Sequence, residues 1–391
     1  MSAFGLRGAL TVDDLRRKAQ RRVPKMVTDL VAGGAESELT LRRNRSAFDE
    51  IVIEPNYLVD VGRRDLSTSI LGMPVESPVM FGPTGLSTLI HRDGELALAR
   101  AAGAAGSIYV LSVYGGYSLE EVAAAASGIL WFQVYLWKDR GVTRELLQRA
   151  KAAGYRAAVL TVDVPVNGQR ERDLRRGLTV PIRITPRTAI DVALRPWWLY
   201  RIARHPLPIH GSLRGIPGAG GDSGTGLIEY ANRDLLDPTQ SWKDLEWLRE
   251  IWDEPLAVKG VMSVGDAQRT VERGAEAVWV SNHGGRQLDG ARASIEALPR
   301  IVDAVGDRAE ILFDGGVRRG TDVVKAIGLG ARACAVGRPY WWGLGAAGED
   351  GARRVLEILN SEVSRVMALS GVTSLAEIDR SIVQAPSEWT A

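Results

Sequence analysis

Eight short apolar runs, separated by alanine-rich amphipathic stretches, constrain this chain more than any other feature. The runs are PVMFGP (78–83), SIYVLS (107–112), LWFQVYL (130–136), AAVLTVDV (157–164), LAVKG (256–260), AVWVSN (277–282), AEILFDGG (309–316) and ACAVGRP (333–339). Between most of them lie segments such as GELALARAAGAAG, VTRELLQRAKAAG and GTDVVKAIGLGA, which read as amphipathic helices. Strands alternating with helices fit a parallel β/α fold, and eight is the number that closes a barrel. A doubly wound open sheet is the rival, but no GxGxxG follows the first strand and the glycine-rich signals come after later ones. The expected class is therefore α/β, a (β/α)8 TIM barrel with an N-terminal helical segment and a long insertion after strand 4.

The 391 residues are read as one domain, 1–391, with two attachments. Residues 12–75 form an N-terminal helical and capping segment, in which a helix over 12–31 is expected to break near Pro24. Residues 165–240 are too long for an ordinary β/α loop and form an inserted lid or membrane-contact segment. Its first half sets Trp197, Trp198, Leu199 and Tyr200 among Arg195, Arg201 and Arg204, a mixture suited to an interface between apolar material and charged headgroups. A buried lid or subunit contact is the alternative.

Charge excludes little here except nucleic acid, for which a net +2 gives no strong reason. A lone cysteine, Cys334, makes no internal disulfide and reads as a buried thiol. The first residues lack an apolar stretch with a small-residue cleavage site, and no segment of 18 or more residues runs without charge, so neither a secretory signal nor a spanning helix is expected. The expected location is cytoplasmic, with peripheral contact on the inner face of the cell membrane left open.

A β/α barrel places its polar site at the strand ends that face the loops. Those ends carry Pro83 and Thr84, Ser112, Gln133 and Tyr135, Thr161 and Asp163, Lys259, His283 and Arg286, Asp314 to Arg318, and Gly337 with Arg338. The late glycine-rich segments DGGVRRG and VGRP let backbone N–H groups approach an anion while Arg318 and Arg338 donate to it, which predicts a phosphate. His283 is a plausible proton acceptor, Arg286 could hold an anionic substrate beside it, and Asp163 could orient the imidazole. His91, His205 and His210 lack comparable surroundings, and no metal-ligand spacing joins them to His283. Lys259 reads equally as an imine-forming nucleophile or as a fixed charge beside an electron-rich cofactor.

The segments SNHGGRQLD, LTVDVP, LAVKG, DGGVRRG and VGRP, in that company, resemble the FMN-dependent L-2-hydroxy acid oxidases and dehydrogenases over roughly residues 12–375. The resemblance implies FMN as cofactor, His283 as base and Asp163 as its ionic partner. It implies Arg286 and Arg170 on the substrate carboxylate, Tyr135 at the substrate oxygens, and Lys259 facing the flavin N1–C2 carbonyl region. Pro83, Thr84 and Gly85 would line the flavin, with Ser112, Gln133, Thr161 and Ser281 at its edge. Asp314 would take the ribityl chain, and Gly316, Arg318, Gly337 and Arg338 would surround the phosphate. A small 2-hydroxy carboxylate is the implied substrate and a homotetramer the implied assembly.

One group departs from the family pattern. Where relatives resemble PKMVYDY, residues 24–30 read PKMVTDL, so Leu30 occupies the position of a tyrosine that bonds the substrate carboxylate. That loss disfavours small acids and favours a hydrophobic or specialised substrate. GPTGL (82–86), VNGQRERDL (166–174) and ALRPWW (193–198) lean towards the (S)-mandelate dehydrogenase branch. A membrane quinone, another carrier and dioxygen all remain as electron acceptors.

Overall fold

The computed structural model describes residues 6, 8–175, 185–203, 208–216 and 236–390. Arg204, His205 and residues 217–235 of the insertion lie outside them, as do residues 1–5 at the N-terminus. Eight parallel strands close into a barrel in chain order: β1 (Val79–Phe81), β2 (Tyr109–Ser112), β3 (Leu130–Val134), β4 (Ala157–Thr161), β5 (Leu256–Val261), β6 (Ala277–Val280), β7 (Glu310–Phe313) and β8 (Ala333–Val336). Pairing of Cys334 with Val79 seals β8 against β1. Each of the eight expected runs holds one barrel strand.

Side chains on a strand alternate between its faces, and here that alternation sorts two cores. Met80, Val110, Trp131, Val159, Ala257, Trp279, Leu312 and Ala335 fill the barrel interior. Val79, Phe81, Leu111, Phe132, Leu160, Val258, Val280 and Phe313 point outward into the layer covered by helices. Two tryptophans among alanines solve the volume problem of a narrow interior. A small antiparallel pair, Thr68–Ile70 with Met73–Val75, caps the end where the strands begin, sending Ile70, Met73 and Val75 into the same cluster.

The N-terminal segment breaks at the expected proline. Helix α1 (Val12–Arg22) opens on a Thr11 capping box with Asp14 and stops before Val23, whose extended backbone suits the residue ahead of a proline. Pro24 then starts α2 (Lys25–Ala32), and α3 (Leu39–Ser46) follows. Helix α3 lies against the loop after β7, where Gly316 has φ +90° and a Cβ would stand 1.9 Å from the Asn44 carbonyl oxygen. Gly316→Ala therefore combines backbone strain with a clash against main chain, and urea unfolding should show a loss of about 2–5 kcal/mol. Where it is described, the insertion forms helices Glu171–Arg175, Pro186–Ala193 and Pro196–Ala203 and a short 3-10 turn at Gly211–Leu213.

Candidate active site

Continuing the strand alternation one step beyond the interior core produces a polar layer. Two residues after each core member stand Ser112, Gln133, Thr161, Lys259, Ser281 and Asp314 on β2 to β7, and Gly82 and Gly337 on β1 and β8. Six polar side chains and two adjacent glycines thus ring the mouth of a filled barrel. The next step along several strands reaches Thr84, Tyr114, Tyr135, Asp163 and His283.

Within the lower layer the bonds run around the ring. Lys259 Nζ donates to Ser281 Oγ at 2.8 Å and pairs with Asp314 Oδ2 at 3.0 Å, while Ser281 Oγ donates to Asp314 Oδ1 at 2.7 Å. Ser112 Oγ donates to Gln133 Oε1 at 2.9 Å. Gln133 Nε2 and Thr161 Oγ1 are buried and have no partner among the described residues. An unpaired buried polar atom costs about 1–3 kcal/mol, so a donor and a hydroxyl left open side by side call for a polar ligand. Gly337 leaves space over β8, where a Cβ would meet only the Thr84 methyl, at 3.3 Å, whereas one on Gly82 would press on Ala335 Cβ at 3.2 Å.

In the upper layer His283 Nδ1 lies 3.0 Å from Asp163 Oδ1. A carboxylate there fixes the tautomer with the proton on Nδ1 and leaves Nε2 as the acceptor. Burial pushes the Asp163 carboxyl up, but the His283 charge, its hydrogen bond and the Lys259 ammonium outweigh burial and hold it below the usual carboxylate range. The backbone is shaped for this contact. Gly260, at φ +104°, forms a bulge in β5 where a Cβ would sit 2.7 Å from Asp163 Cβ and Cγ. His283 itself is left-handed, φ +57°, followed by Gly284 and Gly285 at +65° and +74°. A reciprocal amide pair between Asn282 and Asn44, both bonds 2.8 Å, and the Gly285 N–H bonded to Asn282 Oδ1 hold that turn. Such strain, of order 1–3 kcal/mol, is borne where position matters.

Around the dyad stand the predicted cations. Arg286 is half-buried, and its Nη1 donates to the carbonyls of Leu30 (2.8 Å) and Gly33 (3.0 Å). Burial first, then Arg170 and Arg338, push its guanidinium down to about 9, with Asp173 acting the other way. Arg170 is tied to Asp173 by a 3.0 Å ion pair. Tyr135 is buried in edge contact with Tyr114, ring centroids 5.7 Å apart, and its phenol is pushed well above its ordinary value by burial and by Tyr114.

The phosphate end is more occupied by protein than the glycine motifs suggest. Arg338 donates to the carbonyls of Val31, Gly284 and Gly33 at 2.8–2.9 Å, clamping the end of α2. Arg318 donates to its neighbour Val317 O at 2.6 Å and packs 5.0 Å over Trp342. Gly316 has the packing reason already given. Burial, with Arg45 beside Arg318 and Arg318 beside Arg338, pushes both guanidiniums down to about 9, although Asp322 acts the other way on Arg318, and Glu38 and Asp314 do so on Arg338. Gly337 begins helix Arg338–Ala347, whose N-terminal N–H groups suit a phosphate. Pro83, Thr84 and Gly85 are half-buried at the end of β1, with Thr84 Oγ1 2.6 Å from the Tyr340 hydroxyl. A concavity of about 1010 Å3 at the opposite end of the barrel, lined by Pro255, Glu276, Glu310 and Arg332, includes none of these residues.

Sequence reasoning passed over Gly260, Asn44, Asn282 and Tyr114 as site-shaping residues, and it set His210 aside although that ring packs on Tyr114. Tyr114 alone left a signal, since it follows Ser112 by two.

A sequence profile of the FMN-dependent dehydrogenases matches residues 19–385. The chain belongs to that family. Among its relatives it is 44% identical to an L-lactate oxidase of Nostoc sp. over 371 residues, 93% of this chain and 95% of that one. It is 42% identical to the peroxisomal (S)-2-hydroxy-acid oxidase GLO4 of Oryza sativa subsp. japonica, covering 96% and 95% of the two chains. Among solved structures, the monotopic membrane protein (S)-mandelate dehydrogenase superposes with a TM-score of 0.92 at 37% identity, over 97% of this chain and 100% of that one. This family member is an FMN-dependent oxidoreductase. The unpaired Gln133 and Thr161 atoms, the Lys259–Asp314 pair, the space at Gly337 and the half-buried arginines fit that cofactor.

Proposed function

We propose that the chain oxidises an L-2-hydroxy carboxylate with an aromatic or otherwise bulky side chain to the 2-oxo acid. The observation that carries this reading is the His283–Asp163 dyad directly above the polar layer, beside the Arg286 and Arg170 guanidiniums. Bound FMN supplies the two-electron acceptor. Arg286, Arg170 and Tyr135 hold and orient the substrate carboxylate and oxygens, and His283 takes a proton on Nε2. Asp163 keeps the imidazole oriented and stabilises its cation as it forms. Lys259 places positive charge where an electron-rich group settles.

Leu30 supports the bulky side chain. It is half-buried at the end of α2, its carbonyl holds Arg286, and it brings an apolar side chain where the family pattern has a phenol. Likeness to mandelate-handling structures points the same way. Anaerobic mixing of the FMN-loaded protein with (S)-mandelate, L-lactate and glycolate tests the reading. Rapid bleaching by mandelate is expected, at least about tenfold faster than by glycolate; equal rates for all three would reject the bulky-substrate part.

For the acceptor, we propose a membrane quinone or another carrier. Helices Pro186–Ala193 and Pro196–Ala203 and the Leu194 between them expose Ile190, Leu194, Trp197, Leu199 and Tyr200, with Trp197 and Tyr200 stacked at 6.1 Å and Arg201 4.9 Å over Trp197. Apolar and aromatic groups flanked by arginine suit a headgroup boundary. Among the described residues no helix is long and apolar enough to cross a membrane, so the contact proposed is peripheral, at the inner face. Replacing Ile190, Leu194, Trp197 and Tyr200 with serine should abolish cosedimentation with phosphatidylglycerol vesicles; undiminished binding would reject it. The similarity to L-lactate oxidase favours a second reading, dioxygen as acceptor with hydrogen peroxide as product, which oxygen uptake with the same substrates detects. Assembly as a homotetramer completes the proposal.

A further inference from the structure

We propose that His210 is a positioning residue that sets, through Tyr114, the aromatic wall against which the substrate's side chain packs. In that role it favours an aryl over a small alkyl group. The inference rests on the function proposed above and names a residue of the insertion's returning arm that reaches the site.

The returning arm of the insertion, residues 208–213, is stitched to the loop after β2. Gly211 N–H donates to Gly115 O at 3.1 Å, and Thr88 Oγ1 donates to Pro208 O at 2.9 Å. A Cβ on Gly211 would stand 2.3 Å from Tyr117 and Ser118 main chain, and one on Gly116 would stand 2.5 Å from Pro208 O. This close docking holds His210 at φ +47°, a left-handed conformation, with 5% of its surface exposed.

Its ring lies 5.3 Å from Tyr114, and Tyr114 lies 5.7 Å from Tyr135. The Tyr114 main chain is already fixed: its N–H is bonded to Ser112 Oγ at 3.2 Å and its carbonyl to Leu86 N–H at 3.1 Å. Gly85 closes from below, where a Cβ would come 2.4 Å from Tyr114 Cβ. With its main chain held, the Tyr114 ring is bounded by His210 on one contact and Tyr135 on the other. Three rings at these spacings form an edge-and-face surface that rewards another aromatic ring.

Packing alone does not account for a histidine here. Its Nδ1 is buried without a partner among the described residues, a cost that an apolar side chain of similar size would avoid. Burial pushes the imidazole down to about 4, so the ring is neutral.

The test uses FMN-loaded protein carrying His210→Asn, which tolerates the left-handed backbone, and His210→Gln as a second variant should the first not retain flavin. Dissociation constants for phenylglyoxylate and pyruvate are read from the perturbation of the flavin spectrum, and kcat and KM from reduction by the corresponding hydroxy acids. The preference for the aryl ligand should fall about tenfold, through KM rather than kcat. In a Tyr114→Ala background the His210 substitution should then change the preference no further. A preference within twofold of the parent, or an effect that survives in the Tyr114→Ala background, overturns this inference alone. A parent protein that binds neither acid and is reduced by neither hydroxy acid overturns the function reading together with it.

Discussion

His283→Ala should retain FMN and lose flavin reduction by substrate, with the anaerobic rate falling by about 10²–10⁴. The imidazole sits above the polar layer, its ring is bonded to Asp163, and none of the lower-layer bonds passes through it; only the His283 backbone N–H reaches that layer, donating to Ser281 Oγ. Removing it leaves the cofactor contacts in place while the proton has no acceptor. Stopped-flow absorption separates the two effects, because bound flavin is seen before substrate is added. A variant reduced at a rate close to the parent's would remove His283 from the role of base. Asp163 has a different sensitivity: loss of the charge alone leaves the imidazole without the carboxylate that fixes its tautomer.

Lys259→Met is expected to act on the fold as well as on the flavin. Its ammonium is buried and bonded to Ser281 and Asp314. Taking away one member of such a pair leaves Asp314 uncompensated, at a cost of about 3–5 kcal/mol. Thermal unfolding should shift down, flavin should dissociate on dilution, and Asp314→Asn in the same chain should recover part of the stability. An unchanged melting temperature with flavin retained would show that the pair is solvated and that Lys259 does little for the cofactor.

How much of this could be read beforehand depended on the range of the interaction. The barrel was legible because it repeats: eight apolar runs, with amphipathic stretches between most of them, leave few other folds. The polar layer was legible for the same reason, since Ser112, Gln133, Thr161 and Lys259 sit at equivalent points of equivalent runs. His283 and Arg286 stood out by their spacing after β6. Gly260 did not, because a glycine after a strand is ordinary until Asp163, on another strand, is known to press against it. Arg338 carried a phosphate signal from its neighbouring glycine, yet its guanidinium is spent on carbonyls more than 300 residues earlier. His210 was unreadable because its contact crosses from an insertion with no strand rhythm to the end of β2.

The grip of Arg338 on Val31 and Gly33 bears on the order in which the protein is made. A nascent chain that has emerged only through β7 has neither β8, which seals the barrel at Val79, nor the arginine that fastens α2 over the mouth. It holds Lys259, His283 and Asp314 on an open sheet with water above them. The first segment synthesised thus waits for one of the last before it can dock, and a ribosome paused before residue 338 carries a chain whose binding cleft has no roof.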